Sequence, residues 1–297
     1  MKKILILFLV LLIGAYLGFN FAVSQRVAFI KSSLEDSLVR LIKNPARNQI
    51  AKECNIPSYK FSEEQNPASL IVGHAYGSSI NTSGTIAPNL SKFLLKNSSS
   101  FEKIIFTGDV IMTPSVKKWK YLKNQLKQMG LKIKIAPGNH DVGTTSDNAY
   151  RDIFFQEFKL TYPYYEKKDE SVYIYIDSTM NPGKIDKETL LFLENSKLLD
   201  KTLFIFSHHL LRPQPHLIAN GLTGHRLDIN NIDVLRGLQN KFKKIYLISG
   251  DAGLNFQGID CLKFQNLYFI SSGINNSDED KALILKDGNL YQIKLVN

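Results

Sequence analysis

Four apolar β-type runs, each closing on a short polar signature, constrain this chain more than any other feature. Lys103-Ile104-Ile105-Phe106 leads into Gly108-Asp109, and Leu131-Lys132-Ile133-Lys134-Ile135 into Gly138-Asn139-His140-Asp141. Leu203-Phe204-Ile205-Phe206 leads into Ser207-His208-His209, and Lys244-Ile245-Tyr246-Leu247-Ile248 into Ser249-Gly250-Asp251. Ligands collect outside the ends of strands in α/β sheets. Bringing these four ends to one edge delivers Asp, Asn, His, His and Asp side chains together. That donor set suits divalent cations and phosphate chemistry.

Between the runs lie stretches of helical period. From about residue 68 the pattern reads as a strand at 69–72, a helix near 88–96, a strand at 103–107 and a helix beginning after Pro114. That helix carries Trp119, Leu122 and Leu126 on one face and stops at Gly130. A strand at 131–135, a helix near 147–158, strands near 161–166 and 171–176, a helix at 186–199 and a strand at 201–206 follow. Strands at 244–249, 261–264, 267–272, 281–285 and 290–295 complete the chain. The mixture implies α/β layers with a central pair of sheets covered by helices.

The N-terminus differs from the rest. Met1-Lys2-Lys3 precedes a mostly apolar, uncharged stretch at 4–23. Its length matches a transmembrane helix, and the two lysines favour a cytoplasmic N-terminus. Ala22-Val23-Ser24 also permits a cleaved signal peptide. Either way the body is expected beyond the membrane, periplasmic or on the cell surface. The division expected is therefore an anchor or signal segment at 1–24, a juxtamembrane helix and linker at 25–67, and a catalytic-type domain at 68–297.

The net charge of +10 raises the question of nucleic acid. The lysines read as scattered, with no basic stripe interleaved with aromatics and no nucleic-acid motif, so no nucleic-acid partner is expected. Cys54 and Cys261 are the two cysteines. They fit one disulfide outside the cytoplasm or two buried free thiols, and neither sits in a metal-binding spacing.

Residue by residue, the signatures carry distinct chemistry. Asp109 follows a glycine at a strand end, where a carboxylate can bridge cations. Asn139 offers a carbonyl oxygen. His140 can donate a proton or hydrogen bond, and Asp141 is expected to hold its imidazole in one tautomer. His208 and His209 are adjacent, so their side chains diverge and only one is expected to bind an ion. Asp251 completes a set of Asp109, Asn139, His208 and Asp251. In the loop at 211–230, Arg212 and Arg226 could engage a phosphate.

These signatures resemble the calcineurin-like metallophosphoesterase superfamily, whose pattern runs Asp-x-His, Gly-Asp, Gly-Asn-His-Asp/Glu, His, then Gly-His-x-His. The resemblance covers roughly residues 68–275. It implies a four-layer αββα sandwich, two central mixed sheets flanked by helices, and hydrolysis of a phosphate ester. It also implies one or two divalent ions (Mn, Mg, Zn or Fe) sharing the aspartate that matches Asp109, with the histidine matching His140 assisting the leaving group. The outer motifs depart from the pattern. The first reads Gly73-His74-Ala75-Tyr76-Gly77, and the last Gly250-Asp251-Ala252-Gly253. One ion position keeps Asp109, Asn139, His208 and Asp251; the other keeps Asp109 and, by substitution, His74. The exchange of His for Asp at 74 and Asp for His at 251 leaves the ligand charge about unchanged, which suggests a re-tuned site. The alternative is an impaired phosphoesterase fold acting as an envelope binding or scaffold protein. The substrate class is not legible.

Overall fold

A computed structural model of the chain describes residues 52–61, 67–78, 84–143, 149–180, 185–195, 198, 200–209, 235–252 and 258–295. The expected membrane segment and juxtamembrane helix lie outside these residues, as does the loop bearing Arg212 and Arg226. Among the described residues no helix is long and apolar enough to cross a membrane.

In chain order the strands are β1 (Lys52–Glu53), β2 (Ala68–Val72), β3 (Phe101–Thr107), β4 (Lys132–Ala136), β5 (Tyr164–Lys168) and β6 (Ser171–Tyr175). They continue with β7 (Thr202–Ser207), β8 (Lys244–Ser249), β9 (Gly258–Phe264), β10 (Leu267–Gly273), β11 (Lys281–Lys286) and β12 (Asn289–Lys294). The helices are α1 (Pro88–Asn97), α2 (Val116–Gln128), α3 (Asn139–Val142), α4 (Ala149–Phe158) and α5 (Lys187–Asn195).

Two mixed sheets result, ordered β12-β11-β2-β3-β4 and β1-β9-β10-β8-β7-β6-β5. Each has a parallel run: β2, β3 and β4 in one, with β4 at the edge, and β6, β7, β8 and β10 in the other. Parallel strands covered on both faces read as continuous apolar runs, which is why β3 and β7 show no alternation. Antiparallel strands lie on both sides of the second run but only beside β2 in the first.

The packing follows from which side chains each strand turns to which face. Leu70, Val72, Ile104 and Phe106 meet Leu90, Phe93 and Leu94 of α1, Trp119, Leu122 and Leu126 of α2, and Phe154 of α4. Ile71 and Ile105, on the opposite face, meet Tyr175, Phe204, Phe206 and Ile248 of the second sheet. The outer face of that second sheet, with Leu203, Ile205 and Leu247, packs on Leu193 of α5. The order is helices, sheet, sheet, helices. Each fully buried large side chain contributes roughly 1.5–3 kcal/mol.

Aromatics tie the sheet-on-sheet layer together. Tyr173, Phe204, Tyr246 and Tyr268 stand in register across β6, β7, β8 and β10. Tyr173–Phe204 and Phe204–Tyr246 stack at 5.3 and 5.0 Å with planes within 10°. Such cross-strand pairs stabilise the sheet locally.

The body begins earlier than position 68. β1 pairs with β9, Ile56 is buried between the sheets, and Tyr59 N donates to the Gln292 carbonyl at 2.7 Å. A two-residue strand has no periodicity to read, so this segment passes as linker in sequence. Of the two readings of the cysteines, the disulfide holds: Cys54 and Cys261 are joined across 207 positions.

Candidate metal and phosphate site

The ends of β3, β7 and β8 and the turn after β4 meet at one edge. Their approach is close enough to require glycine. A Cβ on Gly250 would lie 1.8 Å from the Thr107 carbonyl oxygen. Gly108 has φ +86°, and a Cβ there would strike the His208 ring at 2.5 Å. Two non-glycine residues of the cluster, His74 (φ +50°) and Asp109 (φ +54°), also adopt the left-handed conformation. That region is uncommon for side-chain-bearing residues and concentrates at functional sites.

His208 is the hub. It is fully buried, and its Nδ1 lies 3.2 Å from the Thr107 carbonyl oxygen. A carbonyl only accepts, so Nδ1 carries the proton and donates. In the neutral imidazole, the form that binds a metal, Nε2 then keeps its lone pair, 3.0 Å from Asn139 Oδ1, 3.4 Å from Asp109 Oδ1 and 3.7 Å from Asp251 Oδ1. Three oxygen donors thus surround one ring nitrogen. An ion about 2.1 Å from each donor spaces neighbouring donors by roughly 3.0 Å in an octahedron and about 3.4 Å in a tetrahedron. Two of the three separations from Nε2, 3.0 and 3.4 Å, fall in that range, and the third, 3.7 Å, lies just outside it.

The acidic surroundings also act on the ring's own protonation. Burial pulls the His208 pKa down, but Asp109, Asp251 and Asp141 and the Thr107 carbonyl outweigh it and hold the imidazole above its ordinary value. The edge is a field that attracts positive charge. His74 behaves oppositely: burial dominates, with Asp109 only partly offsetting it, and its pKa is lowered. Its Nδ1 donates to the Ile274 carbonyl at 3.1 Å, and Nε2 lies 3.9 Å from Asp109 Oδ2. A neutral imidazole thus faces the far oxygen of Asp109. Beside it, Tyr76 is buried, with its ring 4.3 Å from that of His74 and 5.2 Å from that of His140. Burial first, then the carboxylates of Asp109, Asp251 and Asp141, push its phenol pKa well up. The hydroxyl stays neutral and makes no anionic ligand.

The expectation for Asp141 is corrected. Its carboxylate does not hold His140. Oδ1 accepts from Val110 N at 2.9 Å and Ile111 N at 3.2 Å, and Oδ2 accepts from Gly138 N at 2.9 Å. Asp141 is a buried clasp between the turns after β3 and β4. Burial, then the Asp109 charge, raise its pKa to about 7 against the pull of those three amides. The His140 ring is instead fixed by Nδ1, 3.0 Å from the Met112 carbonyl, while His140 N donates to Asp109 Oδ1 at 3.0 Å. On the short helix α3 neighbouring side chains diverge, so Asp141 and the His140 ring face different partners.

Sequence reasoning also missed the three carbonyls, of Thr107, Met112 and Ile274, that set the tautomers of His208, His140 and His74. Main-chain acceptors leave no trace in residue identity. His209 points away from the hub at Nδ1, which meets the Ser178 carbonyl at 3.0 Å. Ligand atoms of His208, His209 and Asp251 nonetheless lie within 4.8 Å of one another. Arg212, Arg226 and Gly253 lie outside the described residues.

No family model matches the sequence, and no curated protein matches it. Solved structures do. A purple acid phosphatase from yellow lupin (Lupinus luteus) seeds aligns at TM-score 0.58 and 11% identity, over 79% of this chain and 52% of that one. A dimetal phosphatase from Danio rerio aligns at 0.47 and 11%, over 77% and 99%. The phosphopantetheinyl hydrolase of Mycobacterium tuberculosis aligns at 0.45 and 12%, over 76% and 95%. This chain spans about half the length of the lupin protein. The fold is of the metallophosphoesterase type.

Proposed function

We propose that this chain hydrolyses a phosphate ester with one divalent cation held by Asp109, Asn139, His208 and Asp251. The observation that carries the reading is the His208 Nε2 lone pair, turned by the Thr107 carbonyl toward three oxygen donors 3.0–3.7 Å away. A cation there would supply Lewis-acid stabilisation of charge developing on a phosphoryl oxygen. Mixed oxygen and imidazole donors accept Mn, Mg, Zn or Fe.

The chain's own groups do the rest. His140, tethered at Nδ1 to the Met112 carbonyl, presents Nε2 to hold a proton and give it to the departing ester oxygen. Water adds to phosphorus, the ester P–O bond breaks, and the alcohol leaves with that proton. Asp141 fixes the backbone around both Asp109 and His140 through its three amide bonds. Asp109 and His74 offer a weaker second ion position, because Tyr76 contributes a neutral hydroxyl where the family pattern has imidazole. Arg212 and Arg226 are kept as candidate phosphate contacts. The substrate is a phosphorylated molecule of open class, and no nucleic-acid partner is proposed.

The address proposed is a single-pass anchor at 4–23 with the body on the outer side of the membrane. The Cys54–Cys261 disulfide supports it, since disulfides persist in oxidising compartments. A second reading, a binding or scaffold protein, is favoured by the outer motifs, where His74 stands in place of the usual Asp and the last motif lacks its His. Hydrolysis of an aryl phosphate with Mn²⁺ separates the two. Wild type should turn over, while Asp109→Ala and His140→Ala lose roughly a hundredfold or more. Equal rates in all three proteins would discard the enzymatic reading.

A further inference from the structure

The charge that reads as scattered in sequence is segregated in the fold. α1 and α2 cover the same face of the five-stranded sheet, and together they carry Lys92, Lys96, Lys117, Lys118, Lys120, Lys123 and Lys127 with no Asp or Glu. By contrast α4 has Arg151 with Asp152 and Glu157, and α5 has Lys187 with Glu188 and Glu194. Ordinary solvated surfaces intersperse the two signs.

The geometry makes the outer face a stripe. With Trp119, Leu122 and Leu126 turned inward, the helical period turns Lys117, Lys120, Tyr121 and Lys127 outward, and all four are exposed. On α1 the same argument turns out Lys92, Leu95 and Lys96. Two of the lysines of α2 are already engaged: Lys118 Nζ binds the Thr113 carbonyl at 2.7 Å, and Lys123 pairs with Glu157 at 3.2 Å. Among the described residues no ion pair engages Lys92, Lys96, Lys117, Lys120 or Lys127. Within this field stand two large exposed apolar side chains, Leu95 at 68% and Tyr121 at 54%.

We propose that the outer face of α1 and α2 rests on an anionic phospholipid surface. Lysines around a tyrosine and a leucine are the composition of an interfacial helix face, with charge attracted by anionic headgroups and the ring seated at their level. The patch holds no arginine. Lysine point charges suit a diffuse surface potential, whereas arginine's planar fork suits a fixed phosphate such as a nucleic-acid backbone. The apolar stretch at 4–23 supplies the proximity. The connecting residues 24–51 span up to about 90 Å when extended, so the tether alone does not choose which face meets the bilayer. The lysine field does.

The test uses the full chain in phosphatidylcholine vesicles with or without phosphatidylglycerol. An environment-sensitive fluorophore is attached at Tyr121→Cys, with a second preparation labelled at Leu191→Cys on α5, on the other helical layer. The expected result is a blue shift at position 121 only when phosphatidylglycerol is present, and none at position 191. Neutralising three charges (Lys117→Gln, Lys120→Gln, Lys127→Gln) should lower the docked-to-free ratio by on the order of a hundredfold, about fivefold per lysine. Identical emission with and without phosphatidylglycerol, or equal shifts at both positions, would overturn the proposal. So would a shift produced by an oligonucleotide on neutral vesicles but not by phosphatidylglycerol, which would assign the face to nucleic acid. Aryl phosphate hydrolysis is measured separately, so failure here leaves the reaction intact.

Discussion

Replacing Gly138 by alanine should disable the site without deleting one donor. Gly138 has φ −101° and ψ 170°, extended backbone that alanine adopts freely, so the substitution acts by contact alone. Its Cβ would lie 2.2 Å from Asp109 Oδ1 and 2.3 Å from Asp109 N, where ordinary contact begins at 3.4 Å. The carboxylate must retreat by the difference, about 1.2 Å. The main chain of Asp109 cannot easily follow, because its carbonyl accepts Tyr76 N at 3.1 Å and its Oδ1 accepts His140 N at 3.0 Å. Overpacking of this kind costs about 1–3 kcal/mol of stability. Displacing a site group by ~1 Å costs on the order of a hundredfold in rate. Thermal melting reads the stability cost, and calorimetric titration with Mn²⁺ reads the effect of the displaced carboxylate on ion affinity. Gly237→Ala is the control, since a Cβ there meets nothing within 4 Å. Gly138→Ala should remain folded and lose at least tenfold in Mn²⁺ affinity. A folded Gly138→Ala protein with wild-type affinity would refute the placement of Asp109 in the ion site.

Three further outcomes are expected. Because burial and Asp109 raise the Asp141 pKa from 3.8 to about 7, the folded metal-free protein holds this proton more tightly than the unfolded chain. Its contribution to stability is complete below about pH 4 and lost as pH rises through about 7, up to roughly 4 kcal/mol. Urea midpoints across that window should show wild type losing ground relative to Asp141→Asn, and parallel curves would contradict the cause given. Tyr76→His should add a neutral imidazole beside His74 and Asp109 and strengthen a second ion, read as stoichiometry by equilibrium dialysis. Removing the disulfide by Cys54→Ser with Cys261→Ser releases a constraint across 207 positions and should cost up to about 5 kcal/mol, seen as a fall in the denaturation midpoint of the oxidised protein.

What the sequence disclosed and what it hid divide along physical lines. The inward stripe of α2 was legible because Trp119, Leu122 and Leu126 recur at the helical period, and all three are buried. The approach of Asp109, Asn139 and His208 was legible because each follows a β-type run, buried and apolar in β3 and β7 and alternating in β4. β1 was not, being two residues long. The role of Asp141 was not, since its partners are main-chain amides of Val110, Ile111 and Gly138. The basic face was hidden for a different reason. Lys92 and Lys96 sit some twenty residues before Lys117, and only the parallel placement of β2, β3 and β4 in that order turns both helices to one side.

The measurement that bears most directly on the central claim is anomalous scattering from a crystal soaked in Mn²⁺. The account predicts a peak bonded at about 2.1 Å to Asp109, Asn139 Oδ1, His208 Nε2 and Asp251, with His208 Nδ1 still donating to the Thr107 carbonyl. A saturated crystal with no peak among those four side chains, or one coordinated elsewhere, would contradict it.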